Sequence, residues 1–333
     1  MENKVIKPLV SLITPCYNME RFIQRYFDSI INQHYNNIEL ILVNDGSTDD
    51  TEKIILSNKL KLEKNGIKVI YIKQENAGVS EAINTGLKVF SGKYLSWPDP
   101  DDYFEDNSIE KRVTILENNP QYAIVTCNAY IRDVDNLQEY QAILGKSIKE
   151  RFEENQFDFL LYEKSTFCPI CHLIRSEAFL ESHPTKTIYG AKRSANWQLL
   201  LPLYYKYKRI YLDEVLCSYI IHGSNISMGD DTKEKAINRL KEHQNILVKT
   251  IERIDMKDEI KKDYLTKIDH RYTMKKLSCA SRFGDKDLLE SLYEYLKEKK
   301  LIKFSDRIIY LKYKYISSNT IYHKLKLLIN KII

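Results

Sequence analysis

Short apolar runs alternate with longer amphipathic stretches over the first 130 residues. The runs VSLIT, IELILV, KVIYIK, KYLSW and YAIVTC begin at residues 10, 38, 68, 93 and 122. Each run has the length and the β-branched or aromatic content of a strand, whereas the segments between them have the length of helices. Strands that alternate with helices pair in parallel, because a parallel neighbour needs a crossover connection. The pattern therefore predicts an α/β fold, with a mostly parallel open sheet and flanking helices.

The pattern changes after the fifth run. Residues 131 to 190 are less regular, and we expect a hairpin and a helix there, around RFEENQFDFLLYEK. A helix over 194 to 207 and strands between 209 and 221 would complete a first domain, which we place at residues 1 to 230. In residues 231 to 333 apolar positions recur at three- and four-residue spacing, as in DLLESLYEYLKEKKLI, which is typical of helices. We therefore predict a helical C-terminal domain.

Charge divides the chain at nearly the same place. The net charge is +5, but residues 232 to 333 carry 25 Lys and Arg against 14 Asp and Glu, and residues 1 to 231 carry 26 against 32. No acid follows Asp306, and the Lys and Arg residues there alternate with Ile, Leu and Tyr. This favours a basic amphipathic helix that lies on an anionic membrane through residues 307 to 333. A helical bundle with a solvated basic face is the alternative, and we expect no nucleic-acid partner.

Several features indicate a cytoplasmic protein, peripheral on the inner face of the plasma membrane if the basic segment binds lipid. No apolar run approaches the roughly 20 residues that a membrane span needs, and the N-terminus lacks a signal-peptide cleavage site. The six cysteines do not form a disulfide framework. Cys168 and Cys171 stand in a CPICH segment that formally matches haem attachment and hints at zinc. We predict neither group, because haem attachment requires export and no second CxxC or His pair completes a zinc site.

An acidic cluster follows the fourth predicted strand. Asp99, Asp101 and Asp102 lie within four residues, in a loop stiffened by two prolines. Carboxylates this close repel each other, and a divalent cation that prefers oxygen ligands, such as Mg²⁺ or Mn²⁺, offsets the repulsion. In isolation, such a cluster is more often a solvated turn. In open α/β sheets, however, ligands bind beyond the carboxyl ends of the strands, so its position favours a metal site.

Three further strand ends carry polar motifs. Tyr17 follows the first strand and offers an aromatic ring on which a base can stack. Asp45 ends the second strand before Gly46, and its carboxylate can accept a hydrogen bond from a uracil imide or a ribose hydroxyl. The third strand leads to a segment from Asn76 to Gly86 whose glycines allow close approach of backbone to a ligand. Each motif alone is weak, but one at each of four successive strand ends indicates a ligand site.

In this order and spacing the motifs resemble those of the family-2 inverting glycosyltransferases with the GT-A fold, over roughly residues 9 to 227. The matching motifs are Pro15-x-Tyr17-Asn18, Val43-Asn44-Asp45-Gly46-Ser47-Thr48-Asp49, Asn76-x-Gly78-Val79-Ser80-x-Ala82-x-Asn84-x-Gly86 and Asp99-Pro100-Asp101-Asp102. The resemblance implies a UDP-sugar donor from which a hexose or N-acetylhexosamine is transferred with inversion. It also implies a saccharide or lipid-linked saccharide acceptor that belongs to a surface glycan such as capsule or lipopolysaccharide.

The resemblance assigns roles to individual residues. Those expected to hold the nucleotide are Pro15, Tyr17, Asn18, Asp45, Gly78, Asn84, Asp99 and Asp101. Asp99 and Asp101 form the Asp-x-Asp motif, which meets the ribose and a Mn²⁺ or Mg²⁺ ion on the diphosphate, and Asp102 orients the site. His222 lies in a segment that closes over the diphosphate in the family, where an imidazole can reach the metal or a phosphate oxygen.

The predicted helix near residue 196 departs from the family pattern. Many members have Glu-Asp ahead of the Trp, and that Asp is the general base for the acceptor hydroxyl. This chain has Ala195-Asn196 before Trp197, and an amide cannot act as a base. Three explanations are open: another carboxylate is the base, a late transition state needs little deprotonation, or transfer has been lost. We expect Asn196 to orient the acceptor and Trp197 either to stack on a sugar or to fill the core.

Two other functions remain as alternatives. A degenerate nucleotide-sugar-binding scaffold of a glycan-assembly complex would explain the missing base. A nucleotidyltransferase would share the handling of metal and nucleotide, but residues 9 to 20 lack the Gly-rich loop with a basic residue that such enzymes normally show.

Overall fold

The structure, a computed structural model, describes residues 7–145, 148–164, 168–191, 194–223 and 231–315. The chain divides into two compact units, Met1–Asn225 and Ile226–Ile333. The strands of the described residues are β1 Val10–Cys16, β2 Ile38–Asp45, β3 Lys68–Gln74, β4 Tyr94–Ser96, β5 Tyr103–Phe104, β6 Ile124–Asp133, β7 Ala142–Ile143, β8 His172–Arg175 and β9 Arg209–Ile221.

Helices flank these strands and make up the second unit. Those of the first unit are α1 Ile23–Ile31, α2 Thr51–Lys64, α3 Val79–Leu87, α4 Ser108–Asn118, α5 Ile148–Phe152, α6 Phe157–Leu161, α7 Ser176–Ser182 and α8 Ala195–Lys206, with a 3-10 helix at Pro169–Cys171. Those of the second unit are α9 Lys233–Arg253, α10 Asp258–Arg282, α11 Lys286–Glu298 and α12 Phe304–Tyr315.

One mixed sheet runs through the first unit in the order β3-β2-β1-β4-β8-β6-β9-β5, and β7 pairs with β6. Strands β3, β2, β1 and β4 are parallel neighbours, β6 and β9 are also parallel, and β8 is antiparallel to β4 and β6. The predicted α/β fold with a mostly parallel sheet is therefore confirmed. Val10 of β1 is in register with Ile38 of β2 and Tyr94 of β4, so these strands present their carboxyl ends at one edge of the sheet.

Helix α3 packs closely on the centre of this parallel half because of a glycine. A Cβ atom on Gly86 would lie 2.4 Å from Cγ2 of Ile13 in β1, which is far inside van der Waals contact. The close approach fixes α3 against β1 and β2. Consequently Gly78, the residue that precedes α3, lies at the edge where the parallel strands end.

Between residues 131 and 190, the described part of the chain holds more regular structure than its sequence pattern predicts. The apolar run that predicts a strand stops at Cys127, but β6 continues to Asp133 and pairs with both β7 and β9. The expected hairpin is the β6–β7 pair, and α5 and α6 lie around the expected helix. Between residues 209 and 221 there is one strand of 13 residues, β9.

The second unit is helical, as its spacing of apolar residues predicts. The Thr232 and Asp285 side chains cap α9 and α11, because they accept hydrogen bonds from the backbone N–H of Lys235 and Leu288. Its buried cluster consists of Leu277, Ala280, Leu289, Leu296 and Tyr310. Among the described residues, no helix is both long and apolar enough to cross a lipid bilayer.

Candidate functional site

Three carboxylates meet at the carboxyl end of β4. Oxygen atoms of Asp99, Asp101 and Asp102 all lie within 4.8 Å of one another. Asp102 is buried, with 1% of its surface exposed, and the other two are partly exposed. The cluster therefore has one face towards solvent, where a ligand can approach.

Burial and mutual repulsion shift the acid–base behaviour of this cluster. Loss of solvation, together with the charge of Asp101, raises the pKa of Asp99 to about 8. The pKa of Asp102 also lies well above its usual range, because that carboxyl is buried next to two other acids. At neutral pH the protein alone does not fully stabilise three negative charges here.

Two side chains from other elements border the acids. Arg25 of α1 donates from Nη2 to the backbone carbonyl of Asp101 at 2.9 Å, and its guanidinium lies over the Tyr103 ring. His222, which follows β9, places Nε2 3.0 Å from Oδ2 of Asp101 and stacks on Phe22 at a centroid distance of 4.4 Å. The structure thus brings His222 to the acid cluster, next to one of the predicted metal ligands.

Asp102 is held by groups of the protein itself. Its Oδ1 accepts a hydrogen bond from the backbone N–H of Ile220 in β9 at 3.0 Å, and its Oδ2 accepts one from the Cys168 thiol at 3.6 Å. Because Asp102 joins the loop after β4 to β9, it fixes the position of the two acids that precede it. This geometry supports a positioning role for Asp102.

The residues present suit a hard divalent cation. The carboxylate oxygens of Asp99 and Asp101 are the kind of ligand that Mg²⁺ and Mn²⁺ prefer. The raised pKa of Asp99 reports negative charge that lacks a full counter-charge, even with Arg25 nearby. A bound cation would supply that counter-charge, and Asp99 and Asp101 are the side chains that would hold it.

Asp45, at the end of β2, organises the neighbouring loop. Its Oδ1 accepts hydrogen bonds from Gln74 Nε2 at 2.7 Å and Ala77 N–H at 2.9 Å, and its Oδ2 accepts one from Gly78 N–H at 2.8 Å. A carboxylate has about four acceptor positions, so about one is left for a ligand. Asp45 therefore both holds the loop between β3 and α3 and keeps the capacity to accept one donor from a nucleotide.

Gly46 makes this arrangement possible. Its φ angle is +71°, and a Cβ atom would lie 2.8 Å from the backbone nitrogen of Asn76. A side chain here would be strained and would also push against the loop that Asp45 holds. The glycine in the Asn-Asp-Gly-Ser motif is thus required by the close approach of two loops.

The loop after β1 presents Tyr17 to solvent. Asn18 adopts a left-handed conformation with φ +54°, its Oδ1 accepts from Thr48 N–H at 2.9 Å, and its own N–H donates to Ser47 Oγ. Pro15 is buried within β1, in register with Val43. Tyr17 is 45% exposed, so its ring has a face available for stacking, whereas Asn18 and Pro15 shape the loop that carries it.

Asn84 has a structural role that the sequence does not predict. Its amide pairs with both backbone groups of Ile188: Oδ1 accepts from the N–H at 2.8 Å and Nδ2 donates to the carbonyl at 3.0 Å. The residue is buried. Both ends of the amide bind the protein backbone, so Asn84 holds the segment before α8; its predicted contact with the nucleotide stays a prediction.

Asn196 and Trp197 both lie in the first turn of α8 but have different surroundings. Oδ1 of Asn196 accepts a hydrogen bond from Nε1 of Trp97 at 2.9 Å, which connects α8 to the residue just before the acid cluster. Asn196 is partly exposed. Trp197 is only 4% exposed, so of its two expected roles burial favours filling the core.

Sequence patterns did not reveal several residues that build the site. Gln74 links Asp45 to Thr85, and Arg25 binds the backbone of Asp101. Trp97 is the partner of Asn196. The amide of Gln198 pairs with the backbone N–H and carbonyl of Tyr189. Gln74 and Trp97 are recognisable in the sequence only as neighbours of the strand-end motifs. Nothing local marks Gln198, since its partner lies outside its helix.

Comparisons with known proteins agree with this geometry. Residues 11–182 match the family described as glycosyl transferase family 2. An uncharacterized glycosyltransferase of Rickettsia prowazekii (strain Madrid E) is 32% identical over 253 residues, which cover 74% of this chain and 72% of that protein.

Two solved structures share the fold. TarS of S. aureus, residues 1-349 in complex with UDP-GlcNAc, superposes with a TM-score of 0.59 at 17% identity, over 87% of this chain and 92% of that one. The mannosyltransferase PcManGT from Pyrobaculum calidifontis, in complex with GDP-Man and Mn²⁺, gives a TM-score of 0.55 at 17% identity, over 98% and 89% of the two chains.

Proposed function

Because the chain belongs to glycosyl transferase family 2 and is a glycosyltransferase, we propose that it transfers a hexose or N-acetylhexosamine from a UDP-sugar, with inversion, to a surface-glycan acceptor. The family resemblance inferred from the four strand-end motifs is confirmed. The observation that supports the donor and the metal is the acid cluster at the end of β4, which lies on the same sheet edge as Asp45 and the loop that presents Tyr17. The UDP-GlcNAc complex of TarS and the Mn²⁺ complex of PcManGT are consistent with this choice.

Different residues of the chain have different tasks in a displacement reaction. Tyr17 offers a stacking face to the base, Asp45 accepts one donor of the nucleotide, and Asp99 and Asp101 lie where the diphosphate would bind. A divalent cation held there would stabilise the negative charge that develops on the departing UDP. In an inverting step the acceptor oxygen forms a bond to the anomeric carbon as the bond to UDP breaks, and the acceptor proton passes to a base or to solvent.

The donor and the metal can be tested with the full chain. We expect Mn²⁺ together with a UDP-sugar to raise the unfolding temperature more than either alone, because ligands that bind only the folded state stabilise it. Slow metal-dependent hydrolysis of the same UDP-sugar is expected without acceptor. Stabilisation without turnover for any common UDP-sugar would favour the scaffold alternative. Release of pyrophosphate from UTP when a sugar 1-phosphate is supplied would favour a nucleotidyltransferase.

Asn196 allows a test of the missing base. The Asn196→Asp variant keeps an oxygen that can accept the hydrogen bond from Trp97, so we expect the free energy of unfolding to change little and turnover to change by less than about tenfold. Asn196→Ala leaves the buried indole N–H of Trp97 unpaired, and we expect it to lower the free energy of unfolding by about 1–3 kcal/mol. Chemical denaturation and a transfer assay measure both effects.

A large increase in turnover for Asn196→Asp would have a different meaning. General bases contribute about 10²–10⁴-fold to rates, so a gain of that size would indicate that position 196 is where a base acts and that this chain has lost it. An unchanged rate agrees with a base elsewhere or with a late transition state.

We also propose that α12 binds an anionic membrane surface. Phe304, Ile308 and Leu311 recur at helical spacing along α12, and each is exposed, Phe304 by 79%. Arg307 lies between Phe304 and Ile308 in the sequence, and Lys312 follows Leu311. Apolar side chains flanked by basic ones are typical of helices that lie in a lipid interface. The rest of the expected basic segment, residues 316–333, lies outside the described residues.

Flotation with vesicles tests this surface. The full chain is expected to float with vesicles that contain phosphatidylglycerol and to stay at the bottom with phosphatidylcholine alone, because the basic residues need anionic lipid. Replacing Phe304, Ile308 and Leu311 by Ser should release it. The matched control replaces Leu56 and Leu60, two exposed leucines of α2, and should float like the wild type; equal flotation of both variants would exclude α12 as the membrane contact.

A further inference from the structure

Three buried cysteines from distant parts of the chain meet in the core of the first unit. Cys127 lies in β6, Cys171 ends the 3-10 helix and Cys217 lies in β9. Their three Sγ atoms are all within 4.8 Å of one another, and those of Cys127 and Cys217 are 3.7 Å apart. Cys171 of the CPICH segment therefore lies next to two cysteines from other strands, which the spacing of cysteines in the sequence does not reveal.

The spacing of the sulfur atoms suits a shared metal ion. With Zn–S bonds of about 2.3 Å and tetrahedral angles, two thiolate sulfurs of one site lie about 3.8 Å apart. A disulfide needs sulfurs about 2.05 Å apart, so the observed distance matches a metal site more closely. Three cysteines without a hard oxygen ligand favour a soft cation such as Zn²⁺ over Mg²⁺ or Mn²⁺.

A buried cation next to the cysteines gives independent support. Arg112 is fully buried, and its guanidinium donates only to neutral groups, the backbone carbonyls of Ser108 and Ile170 and the Ser108 hydroxyl. Among the described residues it forms no ion pair. A buried charge without a counter-charge is costly, and Cys217 interacts with the same short segment, through Ile170 O at 3.4 Å. The Phe104 ring, 5.3 Å from the guanidinium carbon, offsets part of this cost, and a negative charge nearby would offset more.

A metal–thiolate site would supply that charge. Thiols buried in a protein interior are normally uncharged, and in that form the three cysteines give Arg112 no counter-charge. A divalent cation displaces the three thiol protons as it binds, and its complex with three thiolates carries a single net negative charge. A small cavity that is lined in part by Cys127, Cys171 and His172 adjoins two of the three cysteines.

From this geometry we propose that Cys127, Cys171 and Cys217 form a thiolate site for a soft divalent cation, Zn²⁺ or a similar ion, in the core of the first unit. The site is distinct from the acid cluster and independent of the sugar donor. It would join β6, the 3-10 helix and β9. Because it ties together residues far apart in the sequence, we expect bound metal to stabilise the folded chain.

Cobalt serves as a spectroscopic probe for this site. When Co²⁺ is added to the reduced, metal-free full chain, we expect a thiolate-to-cobalt charge-transfer absorption that saturates at one ion per chain and disappears when Zn²⁺ is added. The carboxylates of the acid cluster cannot give this absorption, so Asp101→Asn should retain it. Cys127→Ser and Cys217→Ser should reduce it to background, and the matched control Cys279→Ser, a buried cysteine of the second unit, should keep it.

A second measurement avoids the risk that a core variant does not fold. In the wild type, Zn²⁺ should protect Cys127, Cys171 and Cys217 from alkylation under partly denaturing conditions, as counted by mass spectrometry, while Cys16 and Cys279 react as before. Three results would overturn the proposal: no charge-transfer absorption in the wild type, equal absorption in Cys127→Ser and Cys279→Ser, or a Cys127–Cys217 disulfide in place of bound metal.

Discussion

Asp101→Asn is expected to remove metal-dependent turnover of the UDP-sugar while leaving the fold intact. The substitution keeps an oxygen near His222 but removes a negative charge that would hold the proposed cation. Groups that stabilise charge in a transition state contribute about 10²–10³-fold, so we expect a loss of at least that order in kcat/KM. The measurement is UDP release with and without Mn²⁺ over a range of metal concentrations.

The same variant should change stability in the opposite direction. The charge of Asp101 helps to raise the pKa of Asp99, which means that the two carboxylates repel each other in the metal-free protein. Removing one charge relieves the repulsion, so in EDTA we expect Asp101→Asn to unfold at the same temperature as the wild type or above it. Added Mn²⁺ should raise the unfolding temperature of the wild type and have little effect on the variant.

Asp106→Asn is the matched control. Asp106 is an exposed acid five residues further along the chain, and its removal should alter neither turnover nor the response to Mn²⁺. If Asp101→Asn kept more than about a tenth of wild-type turnover, the acid cluster would not be the site that assists departure of UDP, since a loss of about 10²–10³-fold is expected.

Local sequence features predicted that these polar residues lie together, because each motif lies directly after a strand. Once the four strands are known to be parallel neighbours, Tyr17, Asp45, Gly78 and Asp101 must lie along one edge. The order of residues along the chain is then sufficient to bring them together, and no long-range contact has to be known.

Contacts between distant side chains could not be predicted in this way. Asn84 and Ile188 are 104 residues apart, and Cys127 and Cys217 are 90 apart. Their proximity depends on how α8 and β9 return to the sheet, which no periodicity encodes. The amide of Asn84 was for that reason expected to meet a ligand, although in the structure it binds backbone groups.

Two amide side chains hold the segment before α8, and each pairs with both backbone groups of one residue. Asn84 pairs with both backbone groups of Ile188, and Gln198 pairs with those of Tyr189, through Oε1 at 2.6 Å and Nε2 at 2.9 Å. At the next residue, Gly190, a Cβ atom would lie 2.5 Å from Oε1 of Glu81. The backbone of this segment is thus fixed from both sides, close in sequence to Asn196.

Asn84→Ala and Gln198→Ala are accordingly expected to be strongly destabilising. Each substitution removes two hydrogen bonds between an amide side chain and the backbone, and loss of such a bond inside a protein costs about 1–3 kcal/mol. We expect either variant to lower the free energy of unfolding by about 2–5 kcal/mol, measured by urea denaturation. Asn65→Ala, which removes an exposed amide from the end of α2, is the control and should change it by less than about 0.5 kcal/mol.

The double variant Asn84→Ala/Gln198→Ala distinguishes a shared structural role from two separate ones. If both amides hold one segment, releasing it once removes most of what either contributes, so the double variant should lose less than the sum of the single losses, by about 0.5–3 kcal/mol. Strict additivity would contradict this coupling. Because the segment leads to α8, where Asn196 accepts a hydrogen bond from Trp97, transfer to the acceptor should fall in both single variants. Stabilisation by UDP and Mn²⁺, which we assign to Asp45 and Asp101 in our proposal, should persist.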